Sequence, residues 1–186
     1  MNELFTTAIE VQEFCDAQGW RSCFIGGLAV QYWGEPRVTR DVDVTLMTGF
    51  GNEEVFVEAL LGRFGGRMEE AKDFALRHRV LLLRSDGGVA IAIYLGALPF
   101  EEGAVARAEL RNFGPGLELR ICSAEDLIVM KLFALRAIDI RDAESVVTRR
   151  GALLDWTYIE TQLEPLAEVK QDARILETLV RLRAGL

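Results

Sequence analysis

Apolar residues recur at helical spacing over the first eighteen positions. Leu4, Ala8, Ile9, Val11, Phe14 and Cys15 share a face, and Gly19 ends the pattern. RSCFI reads as a short strand, broken by Gly26-Gly27. LAVQYW resumes as a short helix up to Gly34, and Glu35-Pro36 is a turn. DVDVTLM alternates polar and apolar positions and predicts a strand. Residues 52–63 predict a helix with Val55, Phe56, Ala59 and Leu60 on one side. RFGGRMEEAKDFAL shows no clear period. HRVLLLRSDGGVAIAIYLG reads as two strands turning at Asp86-Gly87-Gly88. PFEEGAVARA has a helical pattern, and ELRNFGPGLELRI is a second hairpin around Gly114-Pro115-Gly116.

After Ile121 the pattern is helical only. Ser123 and Asp126 have capping-box spacing, with Asp in place of Glu. Interruptions are expected near Gly151 and, more weakly, near Pro165. The order predicts an α+β fold: a short mixed sheet flanked by helices over residues 1–122, then a helical subdomain over 123–186 packed against it.

Composition narrows the functional classes. Half the residues are hydrophobic, enough for a sizeable core without disulfides. A net charge of −8 argues against a broad nucleic-acid surface, though not against a small basic site. Cys15, Cys23 and Cys122 are odd in number and form no CxxC, so a reduced, cytoplasmic protein is expected. No apolar run is long enough to span a bilayer, and the N-terminus lacks a basic leader. His78 is the sole histidine, which makes a zinc site improbable.

The candidate chemistry lies in FIGGLAVQYWGEPRVTRDVDV. Residues two apart on a strand share a face, so Asp41 and Asp43 point the same way. Two adjacent carboxylates raise each other's pKa or recruit a cation. Their hard oxygens suit Mg2+ or Mn2+, which takes further ligands from water and phosphate. Gly26 and Gly27 stand between a strand and a helix start, where free backbone N–H groups bind phosphate and glycine permits close approach. Arg37 and Arg40 lie between the two features and offer phosphate-directed charge. Each feature alone has a plainer reading, a tight turn or an exposed strand edge. The combination carries the argument: strand, Gly-Gly, 13 intervening residues that include the short helix, then Asp-Val-Asp-Val.

Ile25-Gly26-Gly27 and Asp41-Val42-Asp43-Val44 resemble the signature of the nucleotidyltransferase superfamily, whose fold is shared with DNA polymerase beta. Arg37, Thr39, Asp41 and Asp43 look most like the AbiEii-type branch. GALPFEE and SAEDLIVMKLFALRAIDIRDAESVV extend the resemblance over roughly residues 20–180. It implies transfer of a nucleoside monophosphate from an NTP to a hydroxyl acceptor, with the nucleotide between the two halves of the chain. By position, Asp41 and Asp43 match the metal ligands. Gly26, Gly27, Arg37, Thr39 and Lys131 match the nucleotide-binding set, and Asp139 and Asp142 match later acids, of which Asp142 is counted with the catalytic group. Acceptors among such relatives include tRNA, proteins and small molecules. The branch also implies a toxin paired with an antitoxin protein.

One position departs from the family. The third carboxylate, a metal ligand and base in relatives, aligns with Ala92 in IAIYLGALPFE, and no acid lies between Gly87 and Phe100. An impaired enzyme is therefore expected. Three readings of Ala92 stay open: an inactivated form, a non-catalytic nucleotide-binding or interaction module, or substitution by another group such as Glu101. Plainer roles also stand for other residues. Lys131 is read also as a snorkelling lysine, and Arg136, Asp139 and Asp142 as helix ion pairs. Thr39 and Arg40 are read also as exposed strand residues. Trp20, Tyr32, Trp33 and Trp156 are read as core, and Arg174, Arg181 and Arg183 as a solvated face.

Overall fold

The alternation in DVDVTLM becomes a strand, Asp41–Met47, whose Val42, Val44 and Leu46 are at most 1% exposed while Asp41 is open to solvent. In a computed structural model that describes residues 2–185, this is the second strand of the chain. In chain order the elements are α1 (Glu3–Ala17), β1 (Ser22–Phe24), α2 (Gly26–Trp33), β2 (Asp41–Met47), α3 (Glu53–Arg63), β3 (Gly65–Gly66), α4 (Ala71–His78), β4 (Val80–Arg84) and β5 (Ala90–Gly96). They continue with α5 (Pro99–Arg107), β6 (Glu109–Gly114), β7 (Leu117–Ile121), α6 (Ala124–Ala134), α7 (Ala137–Arg150), α8 (Trp156–Lys170) and α9 (Arg174–Ala184). The result is a mixed sheet flanked by helices, followed by a helical subdomain.

Among the described residues the strands form one sheet in the order β3-β4-β5-β2-β1-β7-β6. The β4–β5 and β6–β7 pairs are the two antiparallel hairpins read from Asp86-Gly87-Gly88 and Gly114-Pro115-Gly116. The β2–β5 and β1–β7 pairs are parallel, which makes the sheet mixed. Register places Val42 beside Ile91 and Val44 beside Ile93, with Leu83 and Leu81 next across β5. Those six side chains are at most 1% exposed and form one face of the core.

The chain divides into two compact units. One holds the residues up to Leu28 together with Val38–Cys122, and the other holds Ala29–Arg37 and the chain from Ser123 on. In the first, α1 packs on β7 and β2, α4 on β4, and α5 on β2 and β1. In the second, α6 packs against α7, α8 and α9. Ser123 caps α6 by accepting from the Asp126 amide at 3.0 Å and donating to its carboxylate at 2.8 Å. Tyr158 donates to the same carboxylate at 2.7 Å, which satisfies a fully buried acid.

Two local features differ from the sequence pattern. The aperiodic stretch after Arg63 contains β3 and α4, and α4 ends at Arg79 in the left-handed region, φ 55°. The Arg79 guanidinium spans to the carbonyls of Leu95 and Gly49 and pairs with Glu53, so distant partners fix this end. At Pro165 no break occurs, and α8 runs through it. Buried Ile159, Leu163 and Ala167 hold both sides of the proline in one helix. The interruption expected at Gly151 is a 3-10 turn, Gly151–Leu153. Among the described residues no helix is long and apolar enough to cross a membrane.

Candidate functional site

The first unit brings together Gly26, Gly27, Thr39, Asp41, Asp43 and Ala92. Strand β2 turns Asp41 and Asp43 to the side opposite the Val42–Val44–Leu46 core, Asp41 exposed and Asp43 half-buried. The Ile25 amide donates to the Asp43 carbonyl at 3.0 Å, which draws the Gly-Gly corner against the strand. Gly26 has φ 57°, and a Cβ there would come within 2.8 Å of the Asp43 Cγ and overlap its carboxylate. At Gly27 a Cβ would lie 2.7 Å from the Thr39 Cβ. Both glycines are thus required by close approach: the first corner of α2 lies flush on Asp43 and Thr39. Thr39 and Arg40 precede β2 and belong to no strand.

Ala92 is the register partner of Asp43 on β5. Partners on neighbouring strands point to the same side with Cβ atoms about 5 Å apart. The methyl group of Ala92 therefore occupies the place beside Asp43 from which a longer side chain would reach the same region. Glu101, the acid that follows on α5, does not take this place. Its carboxylate accepts from the amides of Ala97 at 2.8 Å and Leu98 at 2.9 Å, closing the first turn of α5. Among the described residues no group of three or more His, Cys, Asp or Glu side chains is disposed to hold a metal. Asp41 and Asp43 are a hard-oxygen pair on one face. That donor set fits a single magnesium ion completed by water and phosphate, and Ala92 adds no oxygen to it.

The second unit brings together Arg37, Lys131 and Asp142. The Lys131 ammonium lies 2.7 Å from Asp142 and 3.0 Å from Asp139. Arg37 holds Asp142 through two hydrogen bonds, 2.6 and 2.8 Å, and Arg136 holds Asp139 at 2.5 and 3.1 Å. The three central side chains are 9%, 1% and 4% exposed for Lys131, Asp139 and Asp142. Burial is the largest single influence on each aspartate and pushes its carboxyl up. The hydrogen bonds and charges of the neighbouring cations outweigh it together, and both carboxyls sit below their ordinary range. Lys131 is thus the centre of a buried ion network, and Asp142 joins it to Arg37.

Further residues of α7 hold the segment leading to Arg37. Ser145 accepts from the Glu35 amide at 3.2 Å, and Arg149 donates to the Gly34 carbonyl. Asp142, Ser145 and Arg149 are spaced three and four apart and share one side of the helix. Gly34 is pressed on this side, where a Cβ would lie 3.1 Å from Val146 Cγ2. The sequence displays the helical spacing of these residues but not their partner, which is more than a hundred positions away.

The sequence matches no family model, and no curated protein at a significant level. Solved structures do resemble it. A crystal structure of the antibiotic-resistance factor ANT(2″)-Ia in complex with adenylyl-2″-tobramycin superimposes with a TM-score of 0.59 at 17% identity, over 91% of this chain and 99% of that one. The solution structure of ANT(2″)-Ia gives a TM-score of 0.53 at 20% identity, over 95% and 97%. An antigenic nucleotidyltransferase-like protein from Paracoccidioides brasiliensis gives 0.51 at 17% identity, over 95% and 92%. The fold is nucleotidyltransferase-like. At these identities the likeness concerns architecture, and the chemistry must be argued from the side chains.

Proposed function

We propose that the chain binds a magnesium–NTP complex on the Asp41–Asp43 side of β2 and derives from enzymes that transfer a nucleoside monophosphate to a hydroxyl. The observation that carries the reading is the contact of the Gly26-Gly27 corner with Asp43. It sets the start of α2 beside the Asp43 carboxylate, on the strand face that also carries Asp41, the amides suited to phosphate and the carboxylates to the cation that accompanies it. Asp41 and Asp43 would hold the metal, which supplies charge neutralisation at the phosphates. Thr39 packs against Gly27 and shapes the corner. Arg37 and Lys131, counted with the nucleotide-binding residues by resemblance, carry their charge in the ion network with Asp142 and Asp139.

In nucleotidyl transfer the acceptor oxygen bonds to the α-phosphorus, the bond to pyrophosphate breaks, and the hydroxyl proton passes to a base. Ala92 cannot take that proton. Loss of a general base lowers a rate by about 10²–10⁴-fold. Turnover by this chain is accordingly weak or absent. A non-catalytic nucleotide-binding module is the second reading, favoured by the pairing of Asp43 with alanine rather than with a third acid.

The test is magnesium-dependent transfer from labelled ATP, GTP, CTP and UTP into total cellular RNA and protein, by the chain itself and by Ala92→Asp. Labelling by Ala92→Asp alone supports the transferase reading, and the labelled band identifies the acceptor. Tight magnesium–nucleotide binding with no transfer by either form supports the module. No binding of nucleotide or metal by either form refutes both. The AbiEii-type resemblance adds a finer proposal, a cytoplasmic toxin acting on tRNA or another cellular acceptor and restrained by an antitoxin protein. Unchanged host growth and unchanged tRNA ends on expression of Ala92→Asp overturn it.

A further inference from the structure

The sheet ends differently at its two edges. At one, β3 is two residues long, too short to template another strand. At the other, β6 runs for six residues, with β7 as its strand partner. A register shift between Asn112 and Gly114, and Pro115 just beyond, blunt only its far end. In the regular part Leu110 is 50% exposed.

β7 fixes which way the main-chain groups of β6 point. The Gln12 side chain on α1 donates to the Glu118 carbonyl at 3.0 Å and accepts from the Arg120 amide at 2.7 Å. The Cys122 amide donates to the Phe24 carbonyl of β1 at 3.0 Å. Residues 118, 120 and 122 thus direct these groups away from β6. Main-chain groups alternate sides along a strand, so Leu119 and Ile121 bond Arg111 and Glu109. Leu110 and Asn112 therefore turn their amides and carbonyls to the open edge. Ala108, extended at φ −64° and ψ 136°, leads into the same line.

Charge order then selects a partner. An added antiparallel strand must match outward-facing residues with one another. For a second copy of β6, matching Leu110 with Ala108 sets Glu109 opposite Glu109. Matching Leu110 with Asn112 sets Arg111 opposite Arg111. Matching Leu110 with Leu110 sets Glu109 opposite Arg111 twice, once on each side of a two-fold axis. Like charges directly opposite destabilise a strand pair, and opposite charges stabilise it. Glu109 and Arg111 already pair within the chain at 2.6 Å. In the two-fold arrangement the four charges alternate, so each keeps its partner and gains another.

We infer that the β6 edge is a self-association surface, on which two copies of the chain pair antiparallel with Leu110 on the two-fold axis. Leu110 exchanges two main-chain hydrogen bonds with its counterpart, and each Asn112 amide donates to Ala108 of the second copy. The Leu110 side chains meet on one face, and the charges line the other. A pairing this short lies below the standard interface size, so the dimer is reversible, with a dissociation constant on the order of 100 μM. β6 stands three strands from β2, about 14 Å, and the pairing makes no use of Asp41 or Asp43.

Sedimentation equilibrium of the full chain, from about tenfold below to about tenfold above that constant, tests the pairing. A monomer–dimer transition is expected. Leu110→Pro removes an outward amide that β7 does not use, and Arg111→Glu and Glu109→Arg each set like charges opposite. Each variant, its fold checked by circular dichroism, should associate at least about tenfold more weakly. An equimolar mixture of Arg111→Glu and Glu109→Arg should associate again, because opposite charges then face each other across the pair. Loss of fold would not be repaired by mixing. A monomer at every concentration, association unchanged by Leu110→Pro and Arg111→Glu, or a mixture that stays monomeric overturns the pairing.

Discussion

In Lys131→Met the buried ammonium is exchanged for an apolar side chain of similar length. The volume is nearly conserved, so the perturbation is electrostatic. Lys131 contacts both Asp139 and Asp142, which are 1% and 4% exposed. Removing one partner of a buried pair costs about 3–5 kcal/mol, because a charge remains in a medium that solvates it poorly. Here Arg136 still covers Asp139 and Arg37 still covers Asp142, which places the expected loss near about 3 kcal/mol. For a chain of this size that is a fall in Tm of about 6–12 °C. Urea unfolding followed by circular dichroism reads the loss, and calorimetry reads the Tm. Asp142→Asn should cost less, since Lys131 keeps Asp139 and Arg37 is 32% exposed. A change below about 1 kcal/mol in Lys131→Met, the range of exposed pairs, would refute the buried character of the network.

Gly26→Ala must both adopt φ 57° and displace the Asp43 carboxylate, whereas Gly49→Ala, at φ 72° with open space around it, meets backbone strain alone. Strain costs about 1–2 kcal/mol in each, so Gly49→Ala should stop there while Gly26→Ala loses more stability and also weakens magnesium–ATP binding; equal losses in urea unfolding would show that the corner does not press on Asp43. Because Asp142 is held below its unfolded value, the unfolded chain takes up its proton first as pH falls, so its contribution is full above about pH 4 and disappears as pH drops through the folded value. Between about pH 5 and about pH 3 the unaltered protein should therefore lose stability more steeply than Asp142→Asn, as measured by urea midpoints across that range. Burial pushes the Cys15 thiol up to about 11, so a thiol-directed disulfide reagent should modify it only on unfolding, and rapid labelling of the native protein at neutral pH would contradict its burial.

The parts of this molecule legible in the sequence are those governed by neighbours along the chain. The hairpins at Asp86-Gly87-Gly88 and Gly114-Pro115-Gly116 follow from turn chemistry, and the common orientation of Asp41 and Asp43 follows from the strand period. The opposition of Asp43 and Ala92 does not, because it depends on the register of a parallel pair whose strands are separated by α3, β3, α4 and β4. Pro165 illustrates the reverse case, a strong local signal overridden by packing on both sides. The buried state of Lys131 was equally hidden. Its helix is apolar enough for a snorkelling lysine, and only its partners Asp139 and Asp142 on α7 decide otherwise. Likewise the association of Ala29–Arg37 with the chain from Ser123 on arises from Asp142, Ser145 and Arg149, which no local pattern connects to Gly34 or Glu35.

That association sets an order of events during synthesis. Arg37 is made 105 residues before Asp142, and Gly34 is made 115 before Arg149. At about 5–20 residues per second, the segment joining the glycine corner to Asp41 waits roughly 5–20 s for its partners. Until α7 leaves the ribosome, Arg37 lacks Asp142 and the Gly34 carbonyl lacks Arg149. A chain truncated before residue 142 should thus retain the hairpins yet leave this segment open to proteases.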